Sequence, residues 1–261
     1  MLEKKKEEAE QAVCQGDTKE RAEENQYIYR MGHDIRISIN AILGMTMVAA
    51  HHIEDKERVV ECLNDIVLSS QHMLSLVDEV MELSRLENDQ EQQERKQFSI
   101  LEVFKEAVQM VSGMIEEHGH QLVTEFQPLC HENVYGTRSH LMQVLMNLLG
   151  NAIKYTPDGG RIRLFLTEKE GFCDGLAHYE MKIEDNGIGM SEEFIQHIFE
   201  PFTREKNVRS GEIAGTGLGM TIVQNLVHAM NGEIHIKSKA GKGTCFRVDI
   251  ALPVAEKGKI G

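Results

Sequence analysis

The stretch NLLGNAIKYT, residues 147–156, carries Asn147, Asn151 and Lys154 at spacings of four and three. Residues so spaced share one face of an α-helix, so two carboxamides and an ammonium line up within a segment otherwise built from Leu, Ile and Ala. A carboxamide oxygen suits Mg²⁺, which takes oxygen donors and keeps several waters, and an ammonium suits a phosphate. A satisfied polar cluster within a packed helix would use the same residues. Taken alone, the stretch leaves both readings open.

Two glycine turns further along change the weighting. EDNGIGM, residues 184–190, closes a strand with the carboxylate of Asp185 and then places Gly187 and Gly189 at alternate positions, where a backbone without Cβ atoms approaches a flat ligand closely. GTGLGM, residues 215–220, opens a helix, so the amides of Gly215, Thr216, Gly217, Leu218 and Gly219 lie at a helix N-terminus, a natural anion site. Either turn by itself also reads as a plain tight turn. In the order asparagine cluster, carboxylate with glycines, glycines opening a helix, coincidence is a poor explanation.

Working outward, the pattern from residue 97 onward mixes periods of two and 3.6. Helices are expected at 101–117, 138–155 and 220–230, and strands at 121–126, 161–168, 177–185, 232–238 and 244–252. That order predicts an α/β sandwich with one layer of helices on a mixed sheet. NDQEQQERK, residues 88–96, has no apolar residue and reads as a linker.

Before the linker the apolar residues adopt heptad spacing. One series is Ile28, Ile35, Ile42 and Ala49 with Ile39 beside it; a second is Val59, Leu63, Ile66, Met73, Val77 and Val80, flanked by Leu76 and Leu83. HHIEDKER, residues 51–58, interrupts them. Two helices joined by a turn form a hairpin that cannot cover both seams alone, which predicts a dimeric four-helix bundle. His33 in GHDIRISINAILG, residues 32–44, lies roughly opposite the first seam, with Asp34 beside it and Ile37 one turn below on the same outward face. Residues 1–26, rich in Glu, Lys, Gln and Ala, read as a charged helix leading into the hairpin.

Composition bounds the partners. A formal net charge of −14 argues against a nucleic-acid surface, which needs clustered Lys and Arg. Five cysteines, odd in number and without CxxC spacing, suggest neither a disulfide framework nor zinc, and fit a reducing cytoplasm. The most apolar run, AILGMTMVAA, is too short to span a bilayer, so no membrane contact is expected of this chain, although a longer, membrane-anchored parent remains open.

Taken together these stretches resemble the sensor histidine kinases of two-component systems. NLLGNAIKYT looks like their N box, DNGIGM the first glycine box, IFEPF (198–202) the F box, GTGLGM the second glycine box and HDIRISINAILGM the H box. The resemblance covers residues 17–253. It implies an α+β chain: an antiparallel helical hairpin, residues 27–88, carrying the phosphoacceptor, then a Bergerat-type ATP-binding domain, residues 97–255. It further implies ATP and Mg²⁺, with Asn151 as the metal ligand, Asn147 and Lys154 at the phosphates, Tyr155 against the adenine and Asp185 accepting from its amino group. Gly187 and Gly189 would let the base fit. Gly215, Gly217 and Gly219, with Thr216 and Leu218, would border the phosphates beside a lid at 203–214, in which Arg204, Lys206 and Arg209 are candidates to reach the γ-phosphate. His33 would be the phosphoacceptor with Asp34 holding its ring, and the partners would be a second copy of the chain and a response-regulator receiver domain. Related ATPases hydrolyse ATP with a glutamate where this chain has Asn147. Transfer to His33 is therefore favoured over hydrolysis, and a dimeric scaffold that binds ATP without phosphotransfer is the alternative.

Three stretches depart from the family pattern. Ile37 and Ser38 stand where Thr and Pro are usual, Ala214 replaces a lid glycine, and YGTRSHL (135–141) lacks the usual Asp and Arg before the N-box helix. None removes a residue that transfer needs.

Overall fold

The computed structural model describes residues 32–33, 35–88, 95–173, 175–201, 203–205 and 217–255. The chain divides between Val80 and Met81 into two compact units. The charged segment expected at residues 1–26 lies outside the described residues, as do Ile28 and Asp34.

The first unit is the helical hairpin. Helix α1 covers 32–51, helical at every described position, and α2 runs Lys56–Asn88. The turn is shorter than the expected 51–58, because Asp55 caps α2 by accepting from the Arg58 N–H at 3.1 Å, which leaves 52–55 to reverse the chain. Between the helices Ser38 and Cys62 are buried, and Ile35, Ile42, Ala49, Val59, Ile66 and Met73 are half-buried. Ile39, Leu63 and Val77 of the expected seams remain 41%, 51% and 44% exposed in the single chain, on the surface that the expected four-helix bundle would leave to a second copy. An α-helix drifts ~20° per heptad against a strict seven-residue repeat, so one apolar series splits between two faces. Cys62, one residue before Leu63, faces α1 instead. Ile39, Leu43 and Met47 on α1 and Val60, Leu63, Val67 and Leu74 on α2 form an exposed apolar stripe.

The second unit begins with β1 (Lys96–Ser99) and α3 (Ile100–Glu117), followed by β2 (Gln121–Phe126), β3 (Asn133–Gly136) and α4 (Arg138–Tyr155). Then come β4 (Arg161–Cys173), β5 (Leu176–Asp185), the single turn α5 (Glu192–Ile195), α6 (Gly219–Ala229), β6 (Glu233–Lys239) and β7 (Gly243–Pro253). Five strands form a sheet in the order β2-β4-β5-β7-β6, parallel between β2 and β4 and antiparallel elsewhere, while β1 and β3 pair as a separate ribbon. This is the expected mixed sheet with one helical layer. The ribbon and α5 went unread because four-residue elements are too short for a period to register.

Alternation along the strands decides which face is covered. On β5, Ala177, Tyr179, Met181 and Ile183 are buried with Ile162 and Leu164 of β4 and Phe246 and Val248 of β7. The helices contribute Phe104, Leu145, Leu148, Leu149, Ile222 and Leu226 to the same core. The intervening residues carry charge on the opposite face. There Arg163 pairs with Glu125 at 2.9 Å and Glu184 at 3.1 Å, Lys182 with Glu180 at 2.6 Å and Arg247 with Asp249 at 3.1 Å. Exposed pairs of this kind add little stability each, so the buried face holds the unit together. No helix among the described residues is long and apolar enough to cross a membrane.

Candidate functional site

Three elements of the second unit converge: the C-terminal half of α4, the end of β5 with its following turn, and the start of α6. Leu141, Leu145, Leu148, Leu149 and Ala152 bury one face of α4 against the sheet. Asn147, Asn151, Lys154 and Tyr155 therefore fall on its less buried side. The Asn151 amide donates to the Met220 sulfur of α6 at 3.4 Å. A Cβ on Gly219 would come 3.2 Å from Asn147 Oδ1, so glycine lets the first turn of α6 lie against Asn147. The Asn147 Nδ2 is buried and has no hydrogen-bond partner, an open donor at the meeting of α4 and α6.

The α4 end is tied to the glycine turn through the Ile188 N–H, which donates to the Tyr155 carbonyl at 3.1 Å. Asp185 Oδ1 accepts from the Gly187 N–H at 2.8 Å and from the Thr244 N–H at 3.1 Å. Burial pushes the Asp185 pKa above its ordinary value, and these two N–H bonds pull only part of the way back. Burial also raises the Tyr155 phenol, opposed by the positive charge of Arg204. The Lys154 ammonium lies 5.0 Å from the Tyr155 ring centroid.

The turn's own packing also requires its glycines: a Cβ on Gly187 would come 2.3 Å from the Tyr155 carbonyl oxygen, and one on Gly189 2.1 Å from that of Lys239. Gly189 also has φ +63, which other residues rarely adopt. At both positions neighbouring backbone lies where a Cβ would stand, so the turn packs tightly and presents Asp185.

Gly217, at φ +78, turns the chain directly before Leu218, the N-cap of α6. The N-cap Leu218 has no side-chain group to cap this N-terminus and the first turn holds no acidic residue, which suits an incoming anion. Gly215, Thr216, Lys206, Arg209 and Ala214 lie outside the described residues. His33 is exposed on α1.

Sequence reasoning missed Thr244 and Ser238. Ser238 and Thr244 are register partners in β6 and β7, with their hydroxyls 2.9 Å apart, and the Met190 N–H of the glycine turn donates to Ser238 at 2.9 Å. The signal was GKGTCF, residues 241–246, whose glycines have φ +75 and +94. A Cβ on Gly243 would come 2.0 Å from the Asp185 carbonyl, so glycine is what brings β7 against the site.

The donor set fits a nucleotide with its cation. Among the described residues no group of three or more His, Cys, Asp or Glu side chains could hold a metal. A carboxamide oxygen at Asn151 suits a cation that keeps its waters and is bound mainly by phosphates. The open Asn147 donor and the N-terminus of α6, free of acidic residues in its first turn, suit phosphate oxygens.

Comparison with known proteins agrees. Residues 23–89 match the His Kinase A (phospho-acceptor) domain, and residues 136–255 match the histidine kinase-, DNA gyrase B- and HSP90-like ATPase domain. The chain is 33% identical over 236 residues to the sensory/regulatory protein RpfC of Xanthomonas campestris pv. campestris, covering 89% of this chain and 32% of that protein. To the autoinducer 2 sensor kinase/phosphatase LuxQ of Vibrio parahaemolyticus it is 29% identical over 234 residues, covering 90% of this chain and 27% of that one. The chain thus spans about a third or less of these relatives. The structure of histidine kinase ThkA in complex with response regulator protein TrrA aligns with a TM-score of 0.68 at 23% identity, over 89% of this chain and 62% of that one, which speaks to fold. With an H-box histidine on a helical hairpin followed by an ATPase domain of this kind, the chain belongs to the sensor histidine kinases of two-component systems.

Proposed function

We propose that the chain binds ATP with Mg²⁺ at the junction of α4, β5 and α6, phosphorylates His33, and passes the phosphoryl group to an aspartate of a response-regulator receiver domain. The observation that carries this reading is the open donor of Asn147 beside the N-terminus of α6, whose first turn holds no acidic residue, with a carboxylate held ready at Asp185. Asp185 accepts from the adenine amino group and Tyr155 lies against the ring. Asn147, Lys154 and the amides from Gly215 to Gly219 bind the phosphates. The cation, held through the Asn151 oxygen, supplies charge neutralisation on the phosphates.

The transfer balances simply. A ring nitrogen of neutral His33 forms a bond to the γ-phosphorus as the bond to the β-bridging oxygen breaks, releasing ADP, and the proton on the other ring nitrogen passes to Asp34 or to water. The receiver carboxylate then displaces the imidazole from phosphorus. We assign residues 27–88 to dimerisation and phosphoacceptance and 97–255 to nucleotide binding. The exposed stripe of Ile39, Leu43, Met47, Leu63 and Val67 supports a homodimer, because a lone hairpin would leave a large apolar surface in water.

The deciding experiment is incubation with γ-labelled ATP. The chain should acquire label that is acid-labile and alkali-stable, as a phosphoramidate is, and His33→Ala should abolish it with ATP affinity unchanged. Bound ATP without any label would instead select the scaffold reading.

A further inference from the structure

Asp185, Thr244 and Ser238 form a row across β5, β7 and β6. Glu184 pairs with Cys245 and Ser238 pairs with Thr244, so by alternation Asp185 and Thr244 share the helix-covered face of the sheet. The Thr244 main chain already holds Asp185 Oδ1. What its side chain offers depends on protons.

The Ser238 hydroxyl has one proton and two lone pairs, and three neighbours: the Met190 N–H at 2.9 Å, the Gly243 carbonyl at 3.0 Å and the Thr244 hydroxyl at 2.9 Å. The Met190 N–H only donates, so it takes a lone pair. The Gly243 carbonyl only accepts, so it takes the proton. Ser238 can then only accept from Thr244, and Thr244 must spend its own proton on Ser238. The remaining capacity of the Thr244 oxygen is lone pairs alone.

We propose that Ser238 is a positioning residue that fixes the Thr244 hydroxyl as an acceptor beside Asp185, so that this wall of the pocket selects a purine whose six-position group donates. The inference rests on the nucleotide reading above. With both backbone N–H groups on Asp185 Oδ1, its other oxygen also presents lone pairs, so Asp185 and Thr244 together offer acceptors. A 6-amino purine matches them. A 6-oxo purine meets lone pairs with lone pairs. Without Ser238 the Thr244 hydroxyl is free to rotate and donate, which relieves that mismatch.

The test measures ATP and inosine triphosphate affinity by calorimetry on the full chain. The parent should prefer ATP. Ser238→Ala should lower the ratio of ATP to inosine triphosphate affinity about five-fold, the factor that one hydrogen bond is worth. Ser238→Thr, which keeps the hydroxyl, should retain the parent ratio. Thr244→Val should lower the ratio as well, and the double variant should fall no further than Thr244→Val alone, because both act through one hydroxyl. Equal weakening of both nucleotides in Ser238→Ala would mark a merely structural role and overturn the proposal. Should Ser238→Ala fail to fold, an unchanged ratio in Thr244→Val overturns it equally. Asp185→Ala separates the two levels. If it loses ATP while the ratios stay at the parent value, only the Ser238 assignment falls; if it binds ATP like the parent, the nucleotide site falls and this inference with it.

Discussion

The Asn151 amide donates to the Met220 thioether across the α4–α6 junction. Sulfur is a weak acceptor and not a donor here, so this contact selects the flip state in which nitrogen faces Met220 and the carboxamide oxygen is left for another partner. The side chain is oriented before any cation arrives. Asn151→Ala should therefore weaken ATP binding about ten-fold in the presence of Mg²⁺ and little in its absence, a loss of ~1.4 kcal/mol confined to the metal-dependent part. Met220→Leu keeps the volume but removes the acceptor, and should reproduce a smaller share of the same Mg²⁺-dependent loss at a stability cost of less than about 1.5 kcal/mol. Calorimetric titration with and without Mg²⁺ checks both.

Asp185 predicts a pH dependence with opposite signs for binding and stability. Its pKa lies above the ordinary 3.8 because burial disfavours the charged form. On acidification the acceptor is therefore protonated earlier than an exposed aspartate would be, and adenosine affinity should decline as pH falls through that raised value. Stability of the unliganded chain should move the other way. The folded state holds this proton more tightly than the unfolded chain, so Asp185 lowers stability above its folded pKa, and that penalty is relieved as pH falls toward 3.8. Urea denaturation of the parent and of Asp185→Asn across that range should give profiles that converge on acidification. A parent profile that instead fell relative to Asp185→Asn would contradict the sign.

The hairpin predicts two different failures from neighbouring residues. Leu63 is 51% exposed within one chain, whereas Cys62 is 3% exposed. Leu63→Asp should leave the helices intact but break the dimer, since the charge is buried only when a second copy arrives, at a cost of several kcal/mol if unpaired. Cys62→Asp should destabilise the hairpin itself. Sedimentation separates the first and circular dichroism the second. A Leu63→Asp chain that sediments as a dimer would remove the exposed stripe from the interface.

These contrasts mark what could be read from sequence. Helix α4 was legible to the residue, because apolar positions such as Leu141, Val144, Leu145, Leu148 and Leu149 recur at helical spacing and Thr156 and Pro157 follow it. The convergence of Asn147, Asn151 and Asp185 was legible through the glycines that flank them. Which of Cys62 and Leu63 faces α1 was not, because a heptad in sequence marks a seam without saying which of two partners it meets. Ser238 was invisible for another reason: a serine in a strand carries no local signal, and its role arises only where register brings Thr244 and Met190 to it.

The last prediction concerns Ile37. It follows His33 by one turn on α1, both residues are exposed, and Ile37 is 54% accessible. Ala41, Gly44 and Val48, expected to continue that outward face, are half-buried, so of the strip expected below the acceptor only Ile37 stays exposed. Ser38, beside it, is buried toward the hairpin interior, and α1 remains helical through this turn, as a chain without proline allows. In the family that this H box resembles, Thr or Asn at the Ile37 position holds the water that dephosphorylates the regulator, and a hydrocarbon offers that water no hydrogen bond. The chain should therefore transfer phosphoryl groups forward and remove them slowly. Ile37→Thr supplies a hydroxyl at an exposed site where the substitution changes stability little, since a half-exposed isoleucine buries only part of its surface. Purified phosphorylated regulator, incubated with ADP and either chain, should lose label several-fold faster with Ile37→Thr than with the parent, while autophosphorylation at His33 stays within two-fold, on the order of the ~0.5 kcal/mol effects typical of surface substitutions. Equal or faster loss with the parent would show that the missing hydroxyl does not limit dephosphorylation, and the water-holding role would then have to be sought on another residue.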